Sequence, residues 1–226
     1  MRKQSLITGE YYHIYNRGVD KRDVFLNRKD LERFIESMRE FNRTETIISL
    51  ANLRKSKSDQ IAPEALFVSV KPLVSFVTYC LNPNHFHFVL KQLVDGGIAK
   101  FMQKLQAGYT SYFNLKNSRT GSLLQGPFKS NSISNENYFN KIIGYVSKNY
   151  QVHTIPKNKL NLVFASDYEY ENNNFKIVSK EEGGQILEIF DGPKNFKKHC
   201  EEIIAIIREE RGKPSLFEED NLPDSA

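Results

Sequence analysis

The chain has 226 residues, 39% of them hydrophobic and 26% charged, which is enough for one domain with a real core and a small appendage. No apolar run reaches the roughly 18 residues of a membrane span, and the N-terminus lacks the apolar segment of a signal peptide. Residues 96–160 hold nine basic residues and one acidic residue, whereas residues 161–226 hold eight basic and fifteen acidic residues. The basic block is typical of a protein that binds phosphate backbones, although a solvated basic surface would give the same counts.

The first half of the chain predicts strands, a helix and a hairpin. Residues 10–17 are β-prone and end before Gly18, which predicts a first strand. Apolar residues at helical spacing over 27–41 predict a first helix, with Asp30 as its cap. The polar stretch 52–65 predicts a loop or hairpin tip. Two strong strand patterns then flank the turn Asn82-Pro83-Asn84, at residues 73–81 and 85–93, and predict a hairpin.

The second half adds helices to this pattern. An apolar stripe predicts a helix over 98–114, and a β-like stretch covers 122–133. Helices are predicted at 135–150 and 194–211, and residues 215–226 are predicted to be disordered. The order β-α-β-β-α-β-α predicts an α+β fold in which helices pack on an antiparallel sheet.

The motif that suggests chemistry is His85-Phe86-His87, in the second strand of the hairpin. Because side chains alternate along a strand, both imidazoles point to one face of the sheet and Phe86 points to the other. Two imidazoles on one face form half of a metal site. The motif alone is weak, since two histidines on a solvated sheet face give the same sequence.

Tyr145 and Asn149 strengthen the case for a site. Their spacing of i, i+4 places them on one face of the predicted helix 135–150. An asparagine carbonyl oxygen could complete a three-ligand site, with the tyrosine beside the metal, although Tyr145 could equally be a core aromatic residue. A zinc hydrolase is less favoured, because no third histidine or carboxylate lies at ligand spacing from the pair.

Three segments, YYHIYNRG (11–18), CLNPNHFHFVLKQ (80–92) and NYFNKIIGYVSKNY (137–150), resemble the single-tyrosine HUH transposases in their order and spacing. The most similar members are the REP-associated tyrosine transposases and the related insertion-sequence transposases. The stretch GSLLQGPFKSNSI (121–133) resembles the family segment before the catalytic helix. The chain departs from many relatives at Pro127, where they have arginine, at Ser147, where they have histidine, and at Tyr150, where they have proline.

The resemblance implies an HUH endonuclease fold, with a ferredoxin-like or RRM-like antiparallel sheet, over residues 1–165, followed by an acidic helical extension over 166–226. It implies that His85, His87 and Asn149 bind Mg²⁺ or Mn²⁺. Tyr145 would be the nucleophile of a single-strand DNA transposase, forming a 5′-phosphotyrosine with hairpin-bearing DNA. The sequence does not identify the general base that would remove the proton of Tyr145.

Contacts to DNA are predicted for a set of polar and basic residues, each of which could equally be a solvated surface residue: Asn16, Arg17, Lys100, Lys104, Lys129, Lys141 and Lys148. A non-catalytic protein that binds DNA or RNA hairpins is the alternative function, although such a protein has no need of all four site residues. The resemblance allows a homodimer as well as a monomer. Cys80 and Cys200 are predicted to be reduced packing residues, which favours a cytoplasmic location.

Overall fold

A computed structural model describes residues 5–45, 71–153 and 155–210 of the chain. The described strands form one antiparallel sheet of five strands in the order β4-β1-β3-β2-β5. The strands are β1 (Tyr11–Arg17), β2 (Val74–Asn82), β3 (His85–Gln92), β4 (Lys129–Ser132) and β5 (Phe164–Ala165). The α-helices are α1 (Arg28–Glu40), α2 (Gly97–Lys116), α3 (Glu136–Ser147), α4 (Asp167–Glu171), α5 (Lys180–Ile189) and α6 (Pro193–Glu209). The predicted loop 52–65 and the predicted disordered end 215–226 lie outside the described residues.

The predicted hairpin at the centre of the sheet is confirmed. β2 and β3 pair antiparallel, and Asn82 lies opposite His85 across the two-residue turn. The carbonyl of Pro83 accepts hydrogen bonds from the backbone N–H groups of Val24 and Phe25, which anchors the turn to the chain that leads into α1. The turn that begins β3 is therefore held by its pairing with β2 and by the segment that leads into α1.

The two faces of the sheet carry different helices, which confirms the α+β prediction. Phe86 points to the face that α1 and α2 cover, where its ring packs against Phe34 of α1 with centroids 5.5 Å apart. On the same face Phe101 of α2 meets Phe76 of β2 edge to face, also at 5.5 Å. His87 points to the opposite face, which α3 covers. We call this second side the histidine face.

The N-cap of the first helix lies three residues before the predicted cap, Asp30. Asn27 is the N-cap, since its side chain accepts a hydrogen bond from the backbone N–H of Asp30. Asp30 instead lies inside the helix with its side chain buried. Its carboxylate accepts from the backbone N–H of Leu26 and from the ammonium of Lys116, so it joins the start of α1 to the end of α2.

The β-like stretch predicted over 122–133 is largely wrong. Only β4 is a strand there, and it pairs with β1 at the edge of the sheet. Before it, this stretch forms one isolated β-bridge, between Gly18 and Leu124, and no strand. The sequence pattern was misleading because Leu123 and Leu124 are buried without belonging to a ladder of their own.

The tyrosine-bearing helix is shorter than predicted. It begins at its N-cap Asn135 and ends at Ser147, because Lys148 leaves the helical region with φ −123° and ψ 25°. Asn149 then begins a 3₁₀ turn, Asn149–Gln151. Tyr145 and Asn149 therefore do not share one continuous helix, and their relation must be judged from their contacts.

The C-terminal region contains more structure than the sequence indicated. The predicted last helix corresponds to α6, but β5, α4 and α5 were not predicted. Tyr170 of α4 and Phe196 of α6 belong to the same buried cluster as the sheet residues, and their rings lie 4.3 Å apart. The acidic extension is thus packed on the rest of the described chain, and the boundary after residue 165 stays a prediction.

Two simpler predictions concern the membrane and the cysteines. In the described parts of the chain, no helix is both long and apolar enough to cross a bilayer. Cys80 and Cys200 are buried and free, as predicted.

Candidate functional site

The two histidines of β3 lie under α3 in a closed environment. His87 is 1% exposed and His85 is 8% exposed. β1 lies beside β3, with Tyr15 directly opposite His87 in the register. The Nε2 atom of His13, also on β1, lies 2.9 Å from Nδ1 of His87. The predicted pair is therefore part of a larger buried group of rings on the histidine face.

Three asparagine side chains surround the ring of His85. Its Nδ1 lies 2.7 Å from Oδ1 of Asn84, and its Nε2 lies 3.0 Å from Nδ2 of Asn82 and 3.1 Å from Oδ1 of Asn149. The amide of Asn82 also donates to Oδ1 of Asn149 at 2.8 Å. The turn that precedes β3 and the turn that follows α3 thus meet at His85.

These distances indicate that no hydrogen lies between Nε2 of His85 and Oδ1 of Asn149. Burial lowers the pKa of His85 to about 3, so at neutral pH the ring carries a single hydrogen. The contact with the Asn84 oxygen is the shorter, and the amide of Asn84 is oriented by its own bond to the carbonyl of Lys21. The hydrogen therefore belongs on Nδ1. Nε2 of His85 and Oδ1 of Asn149 then both carry lone pairs, and both accept a hydrogen from the amide of Asn82, which lies 3.0 Å from the first and 2.8 Å from the second.

The spacing of these two acceptor atoms suits a divalent ion, which would replace the Asn82 amide as their common partner. Ligand bonds of about 2.0–2.3 Å at right angles hold neighbouring ligand atoms roughly 3 Å apart, close to the 3.1 Å between the two atoms. Among the described residues, no group of three or more His, Cys, Asp or Glu side chains could hold a metal ion. The candidate donors are instead two imidazoles and one amide oxygen, from His85, His87 and Asn149.

The imidazoles of the histidine face are uncharged at neutral pH. Burial lowers the pKa of His13 to about 3. Burial, followed by the repulsion that His13 and His85 exert in their charged forms, lowers the pKa of His87 well below 6.5. Neutral imidazole is the form that binds metal ions, so no proton has to be displaced before coordination.

Tyr145 lies directly above this group. Its ring meets His87 edge to face with centroids 5.6 Å apart, and meets His13 in the same way at 6.2 Å. The side chain is 2% exposed. α6 packs closely against α3. This close contact is possible because Gly144 of α3 has no Cβ, so that Ile203 of α6 lies against its backbone. The structure thus brings together all four residues predicted for the site, while their roles stay predictions.

Sequence reasoning missed four residues at this site: His13, Asn82, Asn84 and His153. The ring of His153 lies 4.7 Å from that of His85 and lines an open cavity of about 470 Å³ with Tyr150 and Arg208. A signal for His13 was present, since it alternates with Tyr15 on a predicted strand. The partner strand and its register could not be read from that alternation.

The predicted DNA contacts separate into three groups, of which the first lies near the site. Arg17 is opposite His85 in the strand register. Lys129 is exposed at the sheet edge, with its ammonium 6.0 Å from the ring of Tyr15. Lys141 is exposed on α3. These positions leave a role in phosphate binding open.

The second group is turned toward the protein itself. Lys100 and Lys104 lie on α2, on the other side of the sheet, and donate to backbone carbonyls of residues 43–45. Asn16 is buried, with its amide donating to the carbonyl of Gly126. None of the three is near the histidine face.

Lys148 forms the third group, and its side chain is buried in contact with acidic residues of the protein itself. The side chain is 5% exposed, and its ammonium lies 3.0 Å from Glu171 and 3.7 Å from Asp167. Burial acts to lower the pKa of Lys148, but the two carboxylates outweigh it and raise the pKa. Lys148 is a buried cation that joins α3 to the acidic extension.

Comparison with known proteins gives a match in structure but not in sequence. No protein-family model and no curated protein matches the chain. The fold is similar to the solved structure of a REP-associated tyrosine transposase bound to a REP hairpin, with a TM-score of 0.50 and 14% sequence identity over 79% of this chain and 89% of that one. At this identity the similarity shows the fold alone. The predicted HUH-type arrangement of an antiparallel sheet with packed helices is confirmed by it.

Proposed function

Starting from that shared fold, we propose that the protein is a metal-dependent single-strand DNA endonuclease and transposase that cleaves and rejoins hairpin-associated DNA. The observation that carries the proposal is the meeting of His85, His87, Asn149 and Tyr145 on one buried face. The similar structure supports it, because that protein is a REP-associated tyrosine transposase bound to a REP hairpin. Buried free cysteines agree with the cytoplasmic location that belongs to the same proposal.

His85, His87 and Asn149 would hold Mg²⁺ or Mn²⁺ in this proposal. When bound, the ion would polarise a non-bridging oxygen of the scissile phosphate. The asparagines around His85 keep its ring in one orientation, and the neutral imidazoles add no positive charge that would compete with the ion. Mixed imidazole and amide ligation suits Mn²⁺ at least as well as Mg²⁺.

Tyr145 would supply the nucleophile. Its phenolic oxygen attacks the phosphorus, the new bond is a 5′-phosphotyrosine, and the bond to the 3′ oxygen breaks, so that the 3′ oxygen leaves and takes up a proton. The phosphodiester energy is kept in the protein–DNA bond, and the reverse attack by a 3′-OH rejoins the strand. A tyrosine hydroxyl normally has a pKa of about 10, so the site must also accept its proton.

One observation favours the alternative of a non-catalytic hairpin-binding protein. Tyr145 is 2% exposed and packs against His13 and His87, so a phosphate cannot reach it in this arrangement. Catalysis therefore requires α3 to shift when DNA binds. A binder of DNA or RNA hairpins would need no such movement.

The test is the covalent bond itself. Full-length protein is incubated with Mn²⁺ and end-labelled single-stranded DNA that carries hairpins, and the products are separated on a denaturing gel. We expect a protein–DNA adduct with the wild type and with Tyr168→Phe, a tyrosine that is 70% exposed, and none with Tyr145→Phe.

Other outcomes separate the alternatives. Hairpin binding without any adduct supports the non-catalytic protein, whereas cleavage without an adduct supports a metal hydrolase. An adduct that persists in Tyr145→Phe shows that another residue is the nucleophile.

A further inference from the structure

The contact between His13 and His87 has no role in the function proposed above. We infer that His13 is a positioning residue, which accepts a hydrogen bond from Nδ1 of His87 and so leaves Nε2 of His87 without hydrogen, ready to bind a divalent ion. This inference rests on the proposed metal site.

The geometry is that of a hydrogen bond within the ring planes. Nε2 of His13 and Nδ1 of His87 are 2.9 Å apart, the two planes differ by 13°, and the centroids are 5.1 Å apart. Both rings are buried, at 3% and 1% exposure, so water does not compete strongly for either nitrogen. One hydrogen must lie between the two nitrogens, and either ring could supply it.

The choice of donor decides whether His87 can bind a metal ion. If His87 donates, its Nδ1 carries the hydrogen and its Nε2 is a free lone pair. If His13 donates, the neutral ring of His87 carries its hydrogen on Nε2, which blocks coordination through that atom. His85 is held in the first state by Asn84, whose carbonyl oxygen can only accept. A metal site that uses Nε2 of both His85 and His87 requires His13 to accept the hydrogen from Nδ1 of His87. Asn84 accepts the hydrogen from Nδ1 of His85 in the same way.

His13 is itself fixed by its neighbours on the sheet. Its ring stacks on Tyr15 with centroids 4.9 Å apart, and Tyr15 stacks on His87 at 5.7 Å. In most metal sites the partner of a ligating histidine is a carboxylate or a backbone carbonyl. A neutral imidazole in this place orients His87 without adding a negative charge beside the proposed phosphate position.

The tautomer of His87 can be measured directly in the metal-free protein. Long-range ¹H–¹⁵N correlation spectra of ¹⁵N-labelled full-length protein distinguish the two forms. Variants that each lack one of the five histidines assign the signals. The variants are His13→Phe, which cannot accept a hydrogen bond, His13→Gln, which can, and His199→Phe as a matched control on α6. Mn²⁺ affinity is measured by calorimetry for each, and far-UV circular dichroism checks folding.

We expect hydrogen on Nδ1 of His87 in the wild type and in His13→Gln, and a mixed or reversed state in His13→Phe. Mn²⁺ affinity should fall about 10–100-fold in His13→Phe, the range found when such partners are lost. It should stay near the wild-type value in His199→Phe and fall by less than about tenfold in His13→Gln.

Two results would overturn the inference. One is hydrogen on Nε2 of His87 in the wild type, a measurement that needs no variant to fold. The other is an unchanged Mn²⁺ affinity in a folded His13→Phe. A wild type that binds no Mn²⁺ would instead refute the metal site of the proposed function, while the spectra would still decide whether His13 sets the tautomer.

Discussion

Replacing Lys148 by methionine tests whether this residue stabilises the fold or contacts a DNA phosphate. Methionine keeps the apolar stem but removes the ammonium that lies 3.0 Å from Glu171 and 3.7 Å from Asp167. Asp167 would remain largely buried, at 15% side-chain exposure, with its nearest cation gone. We therefore expect a loss of folding stability and no change in the ionic part of DNA binding.

The size of the loss follows from the burial of the three groups. Removing one partner of a fully buried ion pair costs about 3–5 kcal/mol, because the other charge is left without compensation. The Glu171 side chain is 31% exposed and can be rehydrated, and Asp167 keeps its hydrogen bond from the hydroxyl of Tyr150. These two effects reduce the expected cost to about 2–3 kcal/mol.

The assay combines urea unfolding with a salt titration of hairpin DNA binding. Lys141→Met is the matched control, since Lys141 is exposed on α3, the helix that Lys148 directly follows. It should change stability by less than about 0.5 kcal/mol. If Lys141 contacts a phosphate, the slope of log affinity against log salt should shrink by about 0.7–0.9 in this variant.

For Lys148→Met the pattern should be the reverse: lower stability and an unchanged salt slope. The reasoning is refuted if the variant is as stable as the wild type and its salt slope shrinks by about one. That result would restore Lys148 as the phosphate contact expected from the sequence.

Three further substitutions test the site and its supports. Asn149→Ala should weaken Mn²⁺ binding at least about tenfold in calorimetry, whereas alanine at the exposed Asn161 should not; equal affinities would remove Asn149 from the ligand set. Gly144→Val should destabilise the protein by about 1–3 kcal/mol in urea, because a Cβ at this position would lie 3.1 Å from Ile203, and Ile203→Ala in the same chain should recover part of the loss. Asn27→Ala should cost about 1 kcal/mol through the lost cap of α1, and Asn27→Ser should cost much less; equal losses would show that the cap contributes nothing.

The central hairpin shows what local sequence could predict. Strand-prone runs over 73–81 and 85–93, where side chains alternate between the two faces of a sheet, are enough with the turn between them to predict that β2 pairs with β3, whereas the register that places Asn82 in β2 opposite His85 comes from the structure. The same alternation places His85 and His87 on one face and Phe86 on the other. Periodicity is a property of neighbouring residues, so it survives without knowledge of the rest of the fold.

Spacing along a helix was a weaker guide. Tyr145 and Asn149 were predicted to meet because four residues separate them in a helix, but the helix ends at Ser147. They still reach the same place, since the turn after Lys148 carries the Asn149 oxygen to His85. The two residues therefore lie at one site, although the continuous helix from which this was predicted is wrong.

The sequence by itself therefore determined the first strand, the central hairpin, the main helices, the orientation of the histidine pair and the four candidate residues His85, His87, Tyr145 and Asn149. Only the tertiary structure decided that His13 bonds to His87, that Asn82 and Asn84 hold His85, and that Lys148 is buried against the acidic extension. The bond between His13 and His87 joins positions 74 residues apart, and the Lys148 ion pair depends on how α4 packs beside α3. Local patterns fix which way a side chain points, whereas the partner it meets depends on strand register and on the packing of distant segments.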